Sequence, residues 1–400
     1  MRDKVIVLLL ALQVYNCIAW PYGERKIRGV NAGSWLVLER WMNPSDTGVF
    51  ADIPESIEDE YSLCEYLGYA AAEQRLKTHW ATWITEAHFE FWASTGLNHV
   101  RVPIGYWALD IQSPEPWVNG SWEYVVKAAE WSKKHGLQLA IDLHAAPGSQ
   151  NGWDHSGRSG DIGFFTDENI QRAVNVIGRI AEWSSSAEWK DTVTIIQLIN
   201  EPNLWDAYDY RLGKLKDYYG LAYHEVRKYN PDVVVAVADA FIGAENWYYF
   251  SDLPEYHSVM LDIHMYQVFG DEWRNMTCTE HRDYPCTYHE RLTAANSKLW
   301  TVVGEWSIAT PGEFNCDGQA EFARQQIGAF EQAEGWFMWA HYNGQNMREW
   351  SFQHSYANKW IDPAGDNSPQ CSPSSSAART VYSFSVAFMA LLLPFMLTMA

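Results

Sequence analysis

Positive charge is what this sequence lacks most: 29 lysines and arginines face 50 aspartates and glutamates, a formal net charge of −21. No basic stripe collects the lysines and arginines, so a phosphate backbone is excluded as a partner and no nucleic-acid role is expected. Cysteine is also scarce, at 6 in 400 residues, and no spacing matches a structural zinc site. The glycines of the 29–33 segment do not spell G-x-G-x-x-G, and no strand runs into a Gly-rich phosphate loop. No linker separates a second domain. What is present is a folding composition, 47% hydrophobic and 20% charged, with 22 tryptophans, 22 tyrosines and 16 phenylalanines. Flat aromatic faces suit sugar rings as well as cores.

The two ends read as processing signals. Arg2 and Lys4 precede an apolar run from Val5 to Leu12, and a small residue, Ala19, offers a cleavage point, so residues 1–19 are expected to be a signal peptide. After Cys371 the chain turns to a small, polar spacer, Ser372 to Ala378, and then to an apolar tail from Val381 to Ala400. Residues 372–400 match a glycosylphosphatidylinositol (GPI) anchor signal, with attachment at Ser374, Ser375 or Ser376. A retained single span is the alternative; it would place no positive charge on the cytoplasmic flank. The expected product is a secreted, cell-surface protein held at the membrane or wall by a lipid, a monomer, with residues 20–371 as its domain. Cys17 leaves with the signal peptide. Of the five that remain, Cys64 sits in an apolar stretch as the candidate free thiol, and Cys278, Cys286, Cys316 and Cys371 can form two disulfides in a pairing that sequence does not reveal. Sequons at Asn119 and Asn275 mark expected loops.

Between these ends, short β-branched runs alternate with charged, helically periodic stretches. Eight strands are predicted, at Ile27–Asn31, Asn98–Pro103, Leu137–Leu143, Val193–Ile199, Val233–Ala238, Val259–His264, Leu299–Gly304 and Trp336–Trp339. Helices are predicted at Tyr124–His135, Ile170–Trp183, Leu212–Tyr229 and Gln319–Gln332. Eight such units suggest an α/β chain closed into a (β/α)8 TIM barrel. A doubly wound open sheet is the competing arrangement.

Chemistry in such a barrel gathers where strands end. The apolar run Ile195–Ile199 meets Asn200 and Glu201, and Val302-Val303-Gly304 meets Glu305. A carboxylate at the end of a buried strand is costly unless it is paired or used. One such glutamate is as well explained by a helix cap. Two, each beside further polar groups, fit the two carboxyls that glycoside hydrolysis sets across one bond, one protonated and one ionised. Asn200 can donate to a sugar 2-hydroxyl. Arg101, inside the second strand, needs a buried anion, and Glu305 is a natural one. His144 ends the third strand, and His264 and Tyr266 the sixth; a Tyr266 hydroxyl can orient Glu305. A metal held by His144 and His264 lacks a third ligand of matching spacing. No metal and no organic cofactor is needed where carboxylates supply both proton and nucleophile.

These pieces carry a family resemblance. Gly29-Val30-Asn31, Trp35-Leu36-Val37-Leu38-Glu39, the run from Asn98 to Trp107, Leu143-His144 through Gly152, Asn200-Glu201-Pro202, His264-Met265-Tyr266 and Gly304-Glu305-Trp306-Ser307 occur in this order over nearly the whole mature chain. The chain resembles the secreted fungal exo-β-1,3-glucanases of glycoside hydrolase family 5, in clan A. The resemblance implies a retaining mechanism through a covalent glucosyl-enzyme, with Glu201 as acid/base and Glu305 as nucleophile. It implies Arg101, His144, Asn200, His264 and Tyr266 as the supporting shell, Glu39 as a ligand for terminal-glucose hydroxyls, Trp339 as the platform under that ring, and Trp153 with Phe269 as an aromatic clamp at the entrance. It implies release of glucose from the non-reducing end of cell-wall β-1,3-glucan, with some transfer to other sugars. A β-1,6, mixed-linkage or endo-acting relative is the alternative, and a non-cutting glucan-binding wall protein a third. Three departures stand out. Gly33-Ser34-Trp35 replaces Gly-Gly-Trp, Arg40 replaces proline after Glu39, and Trp339-Ala340-His341-Tyr342 replaces Trp-x-Trp-Lys. The last is expected to alter the substrate's surroundings.

Overall fold

The computed structural model of the chain describes residues 20–311, 318–365 and 367. The expected signal peptide, the C-terminal spacer and tail, Cys17, Cys316 and Cys371 lie outside the described residues. Eight parallel strands, β1 (Ile27–Asn31), β2 (His99–Gly105), β3 (Gln138–Ala145), β4 (Val193–Gln197), β5 (Val234–Ala238), β6 (Val259–His264), β7 (Trp300–Glu305) and β8 (Gly335–Met338), hydrogen-bond in chain order into a closed barrel. The ring closes where Ile27 to Val30 of β1 pair with Gly335 to Met338 of β8. Closure rules out the open doubly wound sheet, which would leave two edges. Each strand lies within two residues of its predicted bounds.

Period-two alternation divides the strand residues between two cores. Ile27, Ala140, Ile195, Val234, Ala236, Met260, Val302 and Phe337 fill the barrel's interior. Their neighbours, such as Val30, Val100, Ile141, Ile196, Val235 and Val303, face outward against the helices. Phe337 crosses the interior because β1 offers Gly29 there: a Cβ at Gly29 would stand 2.2 Å from the Phe337 ring. Helices Trp122–His135, Asp167–Ser184, Tyr208–Tyr229 and Gln319–Phe330 cover the outside as their periodicity predicts. Helices Glu60–Leu67, Tyr69–Trp83 and Glu86–Ser94, between β1 and β2, were not foreseen. Among the described residues no helix is long and apolar enough to cross a membrane. Cys64 is a free, buried thiol, and Cys278 and Cys286 are disulfide-bonded. Both sequon asparagines are exposed.

The floor of the barrel is closed by Trp20 and Tyr22. Trp20 meets the buried His99 ring edge-on at 4.6 Å, and the Tyr22 hydroxyl donates to Thr194 Oγ1 at 2.7 Å. Burial, with the charge of Arg25 behind it, pushes His99 down to about 3. Burial likewise pushes His79 down to about 4, against the hydrogen bonds it makes with the backbone of Ser34 and Trp35. A depressed histidine stabilises the fold fully above its unfolded pKa of about 6.5, and that contribution is lost as pH falls towards the folded value, at about 1.4 kcal/mol per pH unit. Buried carboxyls titrate in the opposite sense; Glu60, raised by burial to about 8, is one. The difference between two proteins isolates the histidine. The destabilisation caused by His99→Gln is expected to shrink steadily between pH 6 and pH 4 in urea unfolding. Parallel stability curves for wild type and variant across that range would refute a neutral His99.

Candidate active site

The inward-facing positions change character along the strands. They are apolar through the lower barrel and polar at the C-terminal end, where Asn31, Arg101, Asp142, His144, Gln197, Asp262 and His264 converge. Arg101 is the hub, and it is 2% exposed. Its Nε donates to Gln197 at 2.9 Å, Nη1 to Asn31 at 2.8 Å and Glu305 at 2.9 Å, and Nη2 to Asn200 at 2.8 Å, and Nη2 is ion-paired with Asp142 at 3.0 Å. Every guanidinium nitrogen thereby has a partner, which a buried arginine requires. Burial opposes its charge, but Asp142, Glu305 and Asp262 outweigh burial and keep Arg101 firmly protonated.

Glu305 ends β7. Its second oxygen accepts from the Tyr266 hydroxyl at 2.9 Å, and His264 Nδ1 stands 3.4 Å away. The carboxylate is thus gripped on both oxygens by donors that favour negative charge and fix its direction. Gly304, just before it, has no room for a side chain: a Cβ would lie 1.9 Å from Asp262 Oδ1. Glu201 lies beyond β4 with φ at 42°, a left-handed conformation uncommon outside glycine. Its backbone carbonyl is held by Asn151 Nδ2 at 3.1 Å. Its carboxyl meets His264 Nδ1 at 2.6 Å and His155 Nε2 at 3.5 Å. One oxygen of Glu201, one of Glu305 and a nitrogen of His264 lie within 4.8 Å of one another.

His264 sits among three carboxylates, since its Nε2 also meets Asp262 at 3.1 Å. Burial disfavours its charge, but Glu305 and Asp262, with Glu201, outweigh burial and raise it well above the ordinary range. Glu201 shows the reverse: burial favours the neutral acid, but the hydrogen bond and charge of His264 prevail and hold it down at about 2. The dissociable proton of this pair therefore rests on His264, one short hydrogen bond from Glu201.

The remaining predicted residues fall around this pair. Asn200 gives its oxygen to Arg101, which leaves its amide nitrogen as the donor end. His144 hydrogen-bonds Asp142 through Nδ1 at 2.7 Å and stacks on Trp339 at 5.5 Å with 14° between planes. Glu39 is raised well above the carboxylate range, first by burial and then by the charge of Asp154, with Trp41 Nε1 donating to it at 2.8 Å. Trp153 packs beside His155, and Phe269 beside Tyr266 and Trp350. His144 and His264 each set one ring nitrogen on the aspartate two residues before it. The spacing a metal would accept belongs to Glu201, His264 and Glu305.

Sequence reasoning passed over Asp142 and Asp262, although the signal was there. Asp142-Leu143-His144 and Asp262-Ile263-His264 spell Asp-x-His on β3 and on β6, and residues two apart share one face of a strand. His155 and Trp41 had no such signal. The eighth-strand expectation needs correction. His341 is buried with its ring among the helices: Nδ1 accepts from Trp92 Nε1 at 2.9 Å, and His88 lies 4.7 Å away. Tyr342 packs on Trp83. Arg40 also leaves the cleft, tying down the carbonyls of Ile53 and Ile57. Ser34 takes up φ 54°, and its hydroxyl binds the backbone N–H of Glu39 at 3.0 Å.

The family described as cellulase (glycosyl hydrolase family 5) matches residues 64–355. The chain belongs to glycosyl hydrolase family 5. A glucan 1,3-beta-glucosidase of Blumeria graminis is 36% identical to this family 5 chain over 379 residues, covering 84% of this chain and 87% of that one. A glucan 1,3-beta-glucosidase of Kluyveromyces lactis is 36% identical over 414 residues, covering 88% and 94%. Among solved structures, the rutinosidase of Aspergillus niger superposes with a TM-score of 0.74 at 20% identity, over 86% of this chain and 99% of that one. That likeness extends the family's barrel to this chain and no further.

Proposed function

We propose that this enzyme is a retaining glucan 1,3-β-glucosidase that releases glucose from the non-reducing end of cell-wall β-1,3-glucan. The observation that carries the reading is the carboxyl pair, with oxygens of Glu201 and Glu305 within 4.8 Å of one another, Glu305 held by Arg101 and Tyr266 and Glu201 by His264. Retaining glycosidases keep their carboxyl groups about 5–5.5 Å apart, and inverting ones separate them further to admit water. The relatives named glucan 1,3-beta-glucosidase supply the substrate class.

In this mechanism Glu305, gripped by Arg101 and Tyr266, attacks the anomeric carbon. Glu201, drawing on the proton of the His264 hydrogen bond, protonates the departing oxygen. Glu201 then takes a proton from water, which releases β-glucose from Glu305. Asn200 donates to the 2-hydroxyl of the ring, Trp339 lies under it, and Glu39, kept neutral by burial, both donates to and accepts from its hydroxyls. Trp153 and Phe269 grip the next sugar. With His341 turned into the helical layer, the linkage alternatives lose part of the sequence feature that favoured them. Secretion, glycosylation at Asn119 and Asn275, two disulfides involving Cys316 and Cys371, and a lipid anchor complete the proposal. Their support is the makeup of residues 1–19 and 372–400, the exposure of both asparagines and the bonded state of Cys278 and Cys286.

The test is time-resolved product analysis on laminarin, with β-1,6- and β-1,4-glucans alongside. β-Glucose from laminarin, without early oligomers, is expected. Early α-glucose would overturn retention, and early oligomers would overturn exo cleavage.

A further inference from the structure

Two loops beyond the carboxyl pair are laced together. Asn203 N–H donates to the Gln150 carbonyl at 3.1 Å, and Asn151 Nδ2 donates to the Glu201 carbonyl at 3.1 Å. The same loops carry two indoles. Trp153 N–H is held by Asn151 Oδ1 at 3.0 Å, and Trp205 N–H by Asn203 Oδ1 at 2.9 Å. Their rings lie 5.8 Å apart, and both are half-buried. They extend a file of rings that begins in the barrel. Trp339 stacks on His144 at 5.5 Å, His144 meets His155 at 5.5 Å, His155 meets Trp153 at 5.4 Å, and Trp205 comes last. The opposite wall, Trp350, Tyr266 and Phe269, shows no ring beyond Phe269 among the described residues.

The direction of this file follows from the chemistry. Glu201 protonates the leaving oxygen, so the departing sugar lies on the Glu201 side, where Trp153 and Trp205 stand. Trp153 serves the first leaving-side sugar; Trp205 is one ring further out. Nothing in the catalytic network uses Trp205, and it makes no side-chain hydrogen bond among those described. A flat, half-exposed indole anchored by its backbone to the loop of the acid suits the apolar face of a pyranose.

We propose that Trp205 is the platform of a second leaving-side sugar position, which favours β-1,3-glucan chains of three or more units over the disaccharide and favours oligosaccharides over glucose as transfer acceptors. The proposal rests on the glucan reading above. It is tested by kcat/KM for laminaribiose and laminaritriose in wild type, Trp205→Ala and Trp205→Phe. Wild type is expected to prefer the trisaccharide by roughly three- to tenfold, the range of one aromatic contact. That ratio should fall towards one in Trp205→Ala and return in Trp205→Phe. A ratio near one in wild type, or one kept in Trp205→Ala while both constants drop together, would overturn the sugar position and make Trp205 a packing residue for Trp153. No glucose from either substrate with wild type would overturn the functional reading, and the subsite with it.

Discussion

Glu305→Gln is expected to lower kcat/KM on laminarioligosaccharides by about 10⁵-fold while leaving the fold in place. The loss is large because no other group stands where Glu305 does. Arg101 and Tyr266 aim its oxygens at 2.9 Å each, and the carboxyl across from it, Glu201, is committed to His264. The fold survives because glutamine keeps the shape and most of the bonding. Its carbonyl oxygen still accepts from Arg101, and its amide donates to Tyr266, whose hydroxyl turns from donor to acceptor. Arg101 keeps Asp142 as a close counter-ion at 3.0 Å, so no buried charge is stranded. Steady-state kinetics beside circular dichroism and binding of laminaribiose make the check. Turnover within tenfold of wild type would remove Glu305 from the nucleophile's place.

The barrel was legible because its strands are spelled by β-branched runs and several of them, β4, β6 and β7 among them, run into polar residues. Val302-Val303-Gly304-Glu305 gives both the strand and the site. Legibility failed where side chains outside the strand period decide the outcome. Glu60–Leu67, Tyr69–Trp83 and Glu86–Ser94 form three helices in the one segment between β1 and β2, and their apolar residues face several neighbours at once rather than one stripe. The direction of His341 was equally hidden. A residue after a strand can point into the cleft or back into the helices, and only the acceptance of a hydrogen bond from Trp92, far away in sequence, decides it. Arg40 and Ser34 teach the same lesson. Each departs from the family's pattern, and each is consumed by local backbone: two carbonyls for Arg40, the N–H of Glu39 for Ser34. A departure from a family's pattern carries functional weight only once its side chain is known to face the substrate.

Glu201→Ala is expected to show a second large effect, one that depends on the leaving group. With laminaribiose, whose departing alkoxide needs a proton, kcat/KM should fall by roughly 10³–10⁴-fold. An aryl glucoside with an acidic phenol leaves unaided, so its kcat/KM should fall far less, and hydrolysis of the glucosyl-enzyme then limits turnover. Azide attacks that intermediate without a base, and should restore turnover and yield β-glucosyl azide. The arrangement around His264 makes this a discriminating experiment. His264 Nδ1 lies 2.6 Å from Glu201 and 3.4 Å from Glu305, and it holds the proton that Glu201 must deliver. If His264 were itself the acid, removing Glu201 would cost laminaribiose and the aryl glucoside about equally, and azide would change neither rate nor product. A steep leaving-group dependence places the delivering atom on Glu201 and makes His264 the store from which it draws. A His264→Gln variant with a shifted alkaline limb in its pH profile, rather than a leaving-group dependence of its own, would complete that division of labour.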